Sequence, residues 1–219
     1  MNIHPSMTAF DGQHGNSQPT PQDLARMARL RAAERRPGEA SLFHWDAHFG
    51  QVAVKLLPGE YFVSDEQMLI TTTLGSCIAA CLWDGERQIG GVNHFMLPAG
   101  NSNGDSGRYG PFAMQLLIDE LLRQGASRQR LRAKIFGGGA VVAGMRVMNV
   151  GELNTRFVID YLQAERIPII SRDVMALCPR KLCFTPTNGH AKVKRLASRA
   201  ADASPALTAA TAATAGPTT

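Results

Sequence analysis

The sequence predicts one α+β domain between residues 43 and 196 of a 219-residue chain, with helices stacked on a largely antiparallel sheet. Three observations lead there. Nine short apolar runs are punctuated by Gly and Pro in the manner of strands. Two longer segments carry apolar residues at helical spacing and fall among groups of strands, without the regular strand-helix alternation of a parallel sheet. No segment repeats.

Taken in order, strands are expected at Val52–Leu57, Glu60–Val63, Met68–Thr72, Cys77–Trp83 and Ile89–Leu97. Pro111 at a first helical position opens a helix that runs to Arg123, with Ala113, Leu117 and Leu121 on one face, Phe112 and Leu116 beside it, and Gly125 closing it. A strand at Lys134–Phe136 follows. A second helix from about Gly151 to Glu165 places Leu153, Phe157 and Tyr161 on one face with Leu162 adjacent, and stops before Pro168. Strands at Pro168–Arg172, Lys181–Thr185 and Lys192–Leu196 complete the body.

The two ends have different compositions. Residues 1–42 are rich in Gly, Gln, Pro, Ser and Asn, then in Ala and Arg, and are expected to be a mobile tail. Leu24, Met27, Leu30 and Ala33 recur at helical spacing, so the alternative is a short amphipathic helix between Pro21 and Arg36, ended by Pro37-Gly38. Residues 197–219 are mostly Ala, Thr, Ser and Pro, with Leu207 as their one large apolar residue, and are expected to be disordered.

The net charge of +5 invites a nucleic-acid reading until the charges are located. Residues 1–40 and 41–190 each carry a net +1. Beyond them, Lys192, Lys194, Arg195 and Arg199 face only Asp202, so most of the excess belongs to the C-terminal end. No concentrated basic stripe with aromatic or groove-reading elements is present, and nucleic-acid binding is not expected. No stretch approaches the roughly 18 consecutive apolar residues of a membrane span, and Met1 to Thr20 contain no apolar signal region; a cytoplasmic location without membrane insertion is expected. Four cysteines without a CxxC pair suggest free thiols, any of which could be a nucleophile.

Of the four, Cys77 has the most suggestive setting. A β-like run, Ile70-Thr71-Thr72-Thr73-Leu74, breaks at Gly75-Ser76 and resumes at Cys77, which puts the thiol at the mouth of a strand. Small residues there let the backbone turn sharply and aim N–H groups near Ser76 and Cys77 at an oxyanion beside the sulfur. Seventeen residues on, His94 lies in the strand Gly91-Val92-Asn93-His94-Phe95. If the two strands pair, Cys77 and His94 can face each other and form a thiolate-imidazolium pair that attacks a carbonyl carbon and protonates the leaving group. From local sequence alone, inert core packing is the competing reading of both residues.

The other candidates are weaker. Cys81 and Cys183 alternate with apolar residues as buried packing would, and Cys178 lies in a turn before Pro179 with no nearby His. His44 and His48 could share a helical face but lack a third ligand, so no metal site is expected. Gly137-Gly138-Gly139 lacks a P-loop lysine and reads as a tight packing turn. The polar run 99–110 reads as a surface loop or as a mobile rim over the site.

Pro58-Gly59-Glu60-Tyr61, Thr71-x-x-Leu74-Gly75-Ser76-Cys77, Gly91-Val92-Asn93-His94-Phe95-Met96-Leu97-Pro98, Arg108-Tyr109-Gly110, Lys134-Ile135-Phe136-Gly137-Gly138-Gly139-Ala140 and Asn149-Val150-Gly151-x-x-Asn154 together resemble the chemoreceptor glutamine deamidase family, CheD, in order and spacing over about residues 50–196. The resemblance implies a layered α/β sandwich similar to the catalytic domains of glutamine-deamidating toxins. It implies Cys77 as nucleophile, His94 as base and Thr71 as the group that supports the histidine, beside the oxyanion-positioning Gly75 and Ser76. It implies no metal or other cofactor. The expected activity is a protein-glutamine glutaminase acting on the cytoplasmic helices of chemotaxis receptors, with a chemotaxis phosphatase as a further partner. A binding regulator of that phosphatase, or a thiol protease or acyl transferase, would be the alternatives. One departure stands out: where the family often has Gly-Gly ahead of Gly-Arg-Lys, this chain has Asp173-Val174-Met175-Ala176-Leu177-Cys178-Pro179-Arg180-Lys181.

Overall fold

The computed structural model describes residues 7–9, 17–99, 106–139 and 150–197. Among the described residues, eleven strands form two mixed sheets, and three α-helices pack on them. In chain order the elements are β1 (Met7–Ala9), α1 (Pro21–Ala32), β2 (Leu42–Asp46), β3 (Gln51–Lys55), β4 (Tyr61–Ser64), β5 (Leu69–Leu74), β6 (Ile78–Asp84), β7 (Ile89–Phe95), α2 (Gly110–Arg123), β8 (Arg132–Gly137), α3 (Val150–Ala164), β9 (Ile169–Val174), β10 (Arg180–Thr185) and β11 (His190–Arg195). One sheet has the order β1-β11-β10-β5-β3-β2 and the other β4-β7-β6-β8-β9. Most pairs are antiparallel; β1 with β11, β3 with β5, and β8 with β9 are parallel. All nine expected strands are present, and β1 and β2 are additional.

Strand β6 shows how the layers stack. Ala79, Cys81 and Trp83 join a core that includes Val54, Ile70 and Leu182 of the six-stranded sheet, whereas Ile78, Ala80 and Leu82 join the core beneath α2 and α3. Because successive side chains leave a strand on opposite faces, a strand buried on both sides carries an unbroken apolar run. The order of layers is therefore sheet, sheet, helices. This fits the α+β expectation.

Two expectations need correction. The stretch expected as tail is structured from residue 17 to 42: Thr20 and Asp23 form a capping box at the start of α1, Met27 and Leu30 enter the inter-sheet core, and Ala40 is fully buried. Composition underestimated this segment because two apolar residues suffice when a sheet edge is there to receive them. Arg26 and Arg29 add ion pairs to Glu66. The disordered tail expected at 197–219 lies, from residue 198, outside the described residues.

The second correction concerns α3. Its buried stripe is Gly151, Asn154, Thr155, Val158 and Leu162, while Leu153 of the expected face is 37% exposed. Gly151 decides the rotation. A Cβ there would overlap the Gly138 carbonyl, so the helix seats its glycine on the Gly137–Gly139 loop and turns Asn154 inward.

Candidate active site

Cys77 immediately precedes β6, half-buried against the inter-sheet core. Ala79 of β6 is directly opposite His94 of β7, so the two share a face; Cys77, packed against the same inter-sheet core as Ala79, lies just past the last rung of that ladder, Ile78 with Phe95. The same alternation that sends Asn93 toward α2 sends His94 into the space between the sheets. There the histidine is 2% exposed.

The imidazole is held by its Nδ1. Thr72 Oγ1 lies 2.9 Å from His94 Nδ1 and donates its proton to the Leu56 carbonyl at 3.0 Å. A hydroxyl has one proton, and a carbonyl can only accept. Thr72 Oγ1 is thus the acceptor for a proton on Nδ1, and the lone pair of the neutral ring sits on Nε2. That atom is buried and has no partner among the described residues. The main chain on both sides of the ring is fixed as well, with the His94 N–H donating to Glu60 and its carbonyl accepting from Gly59.

The group on the imidazole is therefore Thr72, whereas the expectation was Thr71. Strand parity excludes Thr71: Ile70 and Leu74 face the inter-sheet core with Thr72, and Leu69 faces out with Thr71, whose hydroxyl donates to Val54 at 3.2 Å. In sequence the signal was the alternation of Ile70, Thr72 and Leu74.

The turn leading into Cys77 is bolted at three successive carbonyls. Gly75 accepts from the Gly139 N–H at 2.7 Å, Ser76 from Asn154 Nδ2 at 3.1 Å, and Cys77 from the Gly138 N–H at 2.8 Å. Gly137 and Gly138 have φ of 111° and 62°, and a Cβ on Gly137 would overlap the Cys77 carbonyl oxygen, so this loop must be glycine. The packing turn read from the three glycines is thus the cradle of Cys77.

With this geometry in hand, similarity to known proteins can be read. Residues 96–195 match the family described as CheD chemotactic sensory transduction. A probable chemoreceptor glutamine deamidase CheD 1 of Albidiferax ferrireducens is 59% identical over 174 residues, which cover 80% of this chain and 74% of that protein. The protein of the same name from Shewanella oneidensis is 51% identical over 158 residues, covering 70% and 77%. The chain belongs to the CheD family. Among solved structures, the Bacillus licheniformis hypothetical protein YfiH superposes with a TM-score of 0.35 and 12% identity over 78% of this chain and 64% of its own, too loosely to bear on the site.

For this CheD family member the protonation states follow from burial. Desolvation pushes the Cys77 thiol up, against a smaller opposing pull from its own N–H. The His94 imidazole is pushed down to about 4 by burial, with the Leu56 carbonyl acting weakly the other way. Both shifts favour the uncharged forms. Burial thus favours thiol and imidazole over the thiolate-imidazolium pair expected from sequence.

The remaining thiols sit elsewhere. Cys81 is fully buried between the sheets opposite Lys134, and Cys183 is buried on the outer side of β10. Both thiols are raised chiefly by desolvation. Cys178 is half-buried in the β9–β10 connection. Two clefts formed by the described residues lie away from Cys77: one of about 410 Å³ against Tyr61 and Glu120, and one of about 280 Å³ at Cys183 and Lys192.

Proposed function

We propose that this protein is a protein-glutamine glutaminase that converts glutamines on the helices of chemotaxis receptors to glutamate and ammonia, acting in the cytoplasm in chemotactic adaptation. The observation that carries the reading is the hydrogen-bonded series Leu56 carbonyl, Thr72 hydroxyl, His94 imidazole, ending in a bare Nε2 on the face shared with Cys77. The relatives' names supply the substrate class. The half-buried thiol at the mouth of a strand suits a side chain offered by a protein surface.

Starting from the neutral pair, His94 Nε2 takes the thiol proton as Sγ bonds to the carboxamide carbon, and the amide oxygen becomes the oxyanion beside the Cys77 N–H. Collapse of this intermediate breaks the C–N bond, and the proton on Nε2 passes to the departing nitrogen, releasing ammonia. The product of the first half is a thioester. In the second half Nε2 removes a proton from water, whose oxygen attacks the thioester carbon; the thiolate leaves and takes the proton back. Throughout, the Nδ1 proton stays directed at Thr72, which keeps the lone pair on the reacting nitrogen. Gly75 and Ser76 act through the rigid turn. The residues present hold no cofactor role in these steps.

Mass spectrometry of a receptor cytoplasmic fragment incubated with the full chain tests this. Amide-to-acid conversion at specific glutamines is the expected result, abolished in Cys77→Ala. Peptide cleavage would point to a thiol protease, and an unmodified fragment that binds would point to a regulator.

A further inference from the structure

We propose that Asn154 is a positioning residue that sets the spacing between Cys77 and His94; the proposal rests on reading those two as nucleophile and base. Its Nδ2 donates to the Ser76 carbonyl at 3.1 Å and to the Met96 carbonyl at 2.8 Å. Ser76 directly precedes the nucleophile, and Met96 is two residues beyond the base. One amide group therefore ties together the two chain segments that carry the chemistry.

Its location explains why a strap is needed. The β6–β7 ladder ends at the pair Ile78 and Phe95, so Ser76 and Met96 lie just past the last rung. Beyond that point nothing in the ladder keeps the strands in register, and two carbonyls can only repel each other. An NH2 group with two protons is the smallest side-chain group that satisfies both, and this also fixes which end of the carboxamide is nitrogen.

The residue is delivered from a third element. Asn154 is fully buried in the second turn of α3, whose first turn rests on the Gly137–Gly139 loop that cradles Cys77. Its Oδ1 is buried with no partner among the described residues. An unpaired buried acceptor costs on the order of 1–3 kcal/mol, so packing alone would favour an apolar residue here. The donor function is what this position retains.

Asn154→Asp, nearly identical in shape, would put an acceptor oxygen where Nδ2 now donates to the two carbonyls; Asn154→Ser would remove the amide donors with less electrostatic conflict. In the full chain, two readouts are compared for variants that keep a cooperative urea transition: the pH profile of Cys77 alkylation by iodoacetamide, with His94→Ala as reference, and kcat and KM for ammonia release from a receptor fragment. Misplacement by about 1 Å is expected to lower kcat on the order of 10²-fold while KM stays within about 3-fold. The alkylation profile should move to that of His94→Ala. A wild-type profile and kcat in both variants would overturn the proposal, and so would a His94→Ala profile identical to wild type, because no coupling would then exist to be held. Failure of the wild-type chain to release ammonia would count against the deamidase reading alone, since the alkylation comparison still decides the strap.

Discussion

Replacing Thr72 by Val, with Thr71→Val as its partner, separates the two threonines by what their hydroxyls touch. Thr72→Val preserves shape but removes the acceptor 2.9 Å from His94 Nδ1 and the donor 3.0 Å from the Leu56 carbonyl. Each buried group left without a partner costs about 1–3 kcal/mol, so the fold should lose roughly 3 kcal/mol, read as a lower urea midpoint at unchanged slope. The rate should suffer independently, because the ring then has no partner to keep the lone pair on Nε2. A loss on the order of 10²-fold in kcat, equivalent to about 2.7 kcal/mol of transition-state stabilisation, is expected from ammonia release. Thr72→Ser, which keeps the hydroxyl, should recover most of it. Thr71→Val gives up one bond of 3.2 Å to Val54 and should cost about 1 kcal/mol of stability with kcat within about 2-fold of wild type. The opposite order, with Thr71→Val crippled and Thr72→Val active, would refute both the parity argument and the assignment of the histidine's partner.

Three further outcomes are expected. Since the folded His94 titrates at about 4 and an unfolded histidine near 6.5, the unfolded state binds the extra proton between those values, and stability should fall by about 3 kcal/mol as pH drops from about 6.5 to 4; Asp84, Glu66 and Glu120, lowered by their arginine partners, add acid sensitivity below that range, so the part due to His94 is the difference in slope against His94→Gln. Native-state alkylation mapped by peptide mass should mark Cys77 and Cys178, with Cys77 slow at neutral pH because its thiol is raised, and spare Cys81 and Cys183 until the chain unfolds; rapid labelling of Cys81 would contradict the inter-sheet core. Leu30→Ala should lower stability by about 2–4 kcal/mol through a cavity at the edge of that core, whereas a free N-terminal tail would leave the urea midpoint unmoved.

Much of this architecture was legible in the chain. Apolar runs broken by Gly and Pro marked nine strands, and Pro111, Gly125 and Pro168 bounded the two long helices, because these signals are local and act within a few residues. The setting of Cys77 after Gly75-Ser76 and the single histidine of β7 singled out two residues on chain segments that do run side by side, since β6 and β7 pair as neighbours. What needed the third dimension was every relation across elements. Whether residues 21–32 fold depends on a sheet edge more than 10 residues away that accepts Met27 and Leu30. Asn154 carries no local mark that it reaches Ser76 and Met96, 78 and 58 residues distant, since a buried polar side chain declares itself only through its partners. The choice between Thr71 and Thr72 likewise turned on a parity that one residue's shift reverses, and which face of β5 meets His94 is settled only when the second sheet packs against it. Local pattern along the chain set the elements and the reactive residue types; packing set which protons those residues hold, because tautomer, burial and pKa depend on neighbours that the chain brings together only by folding.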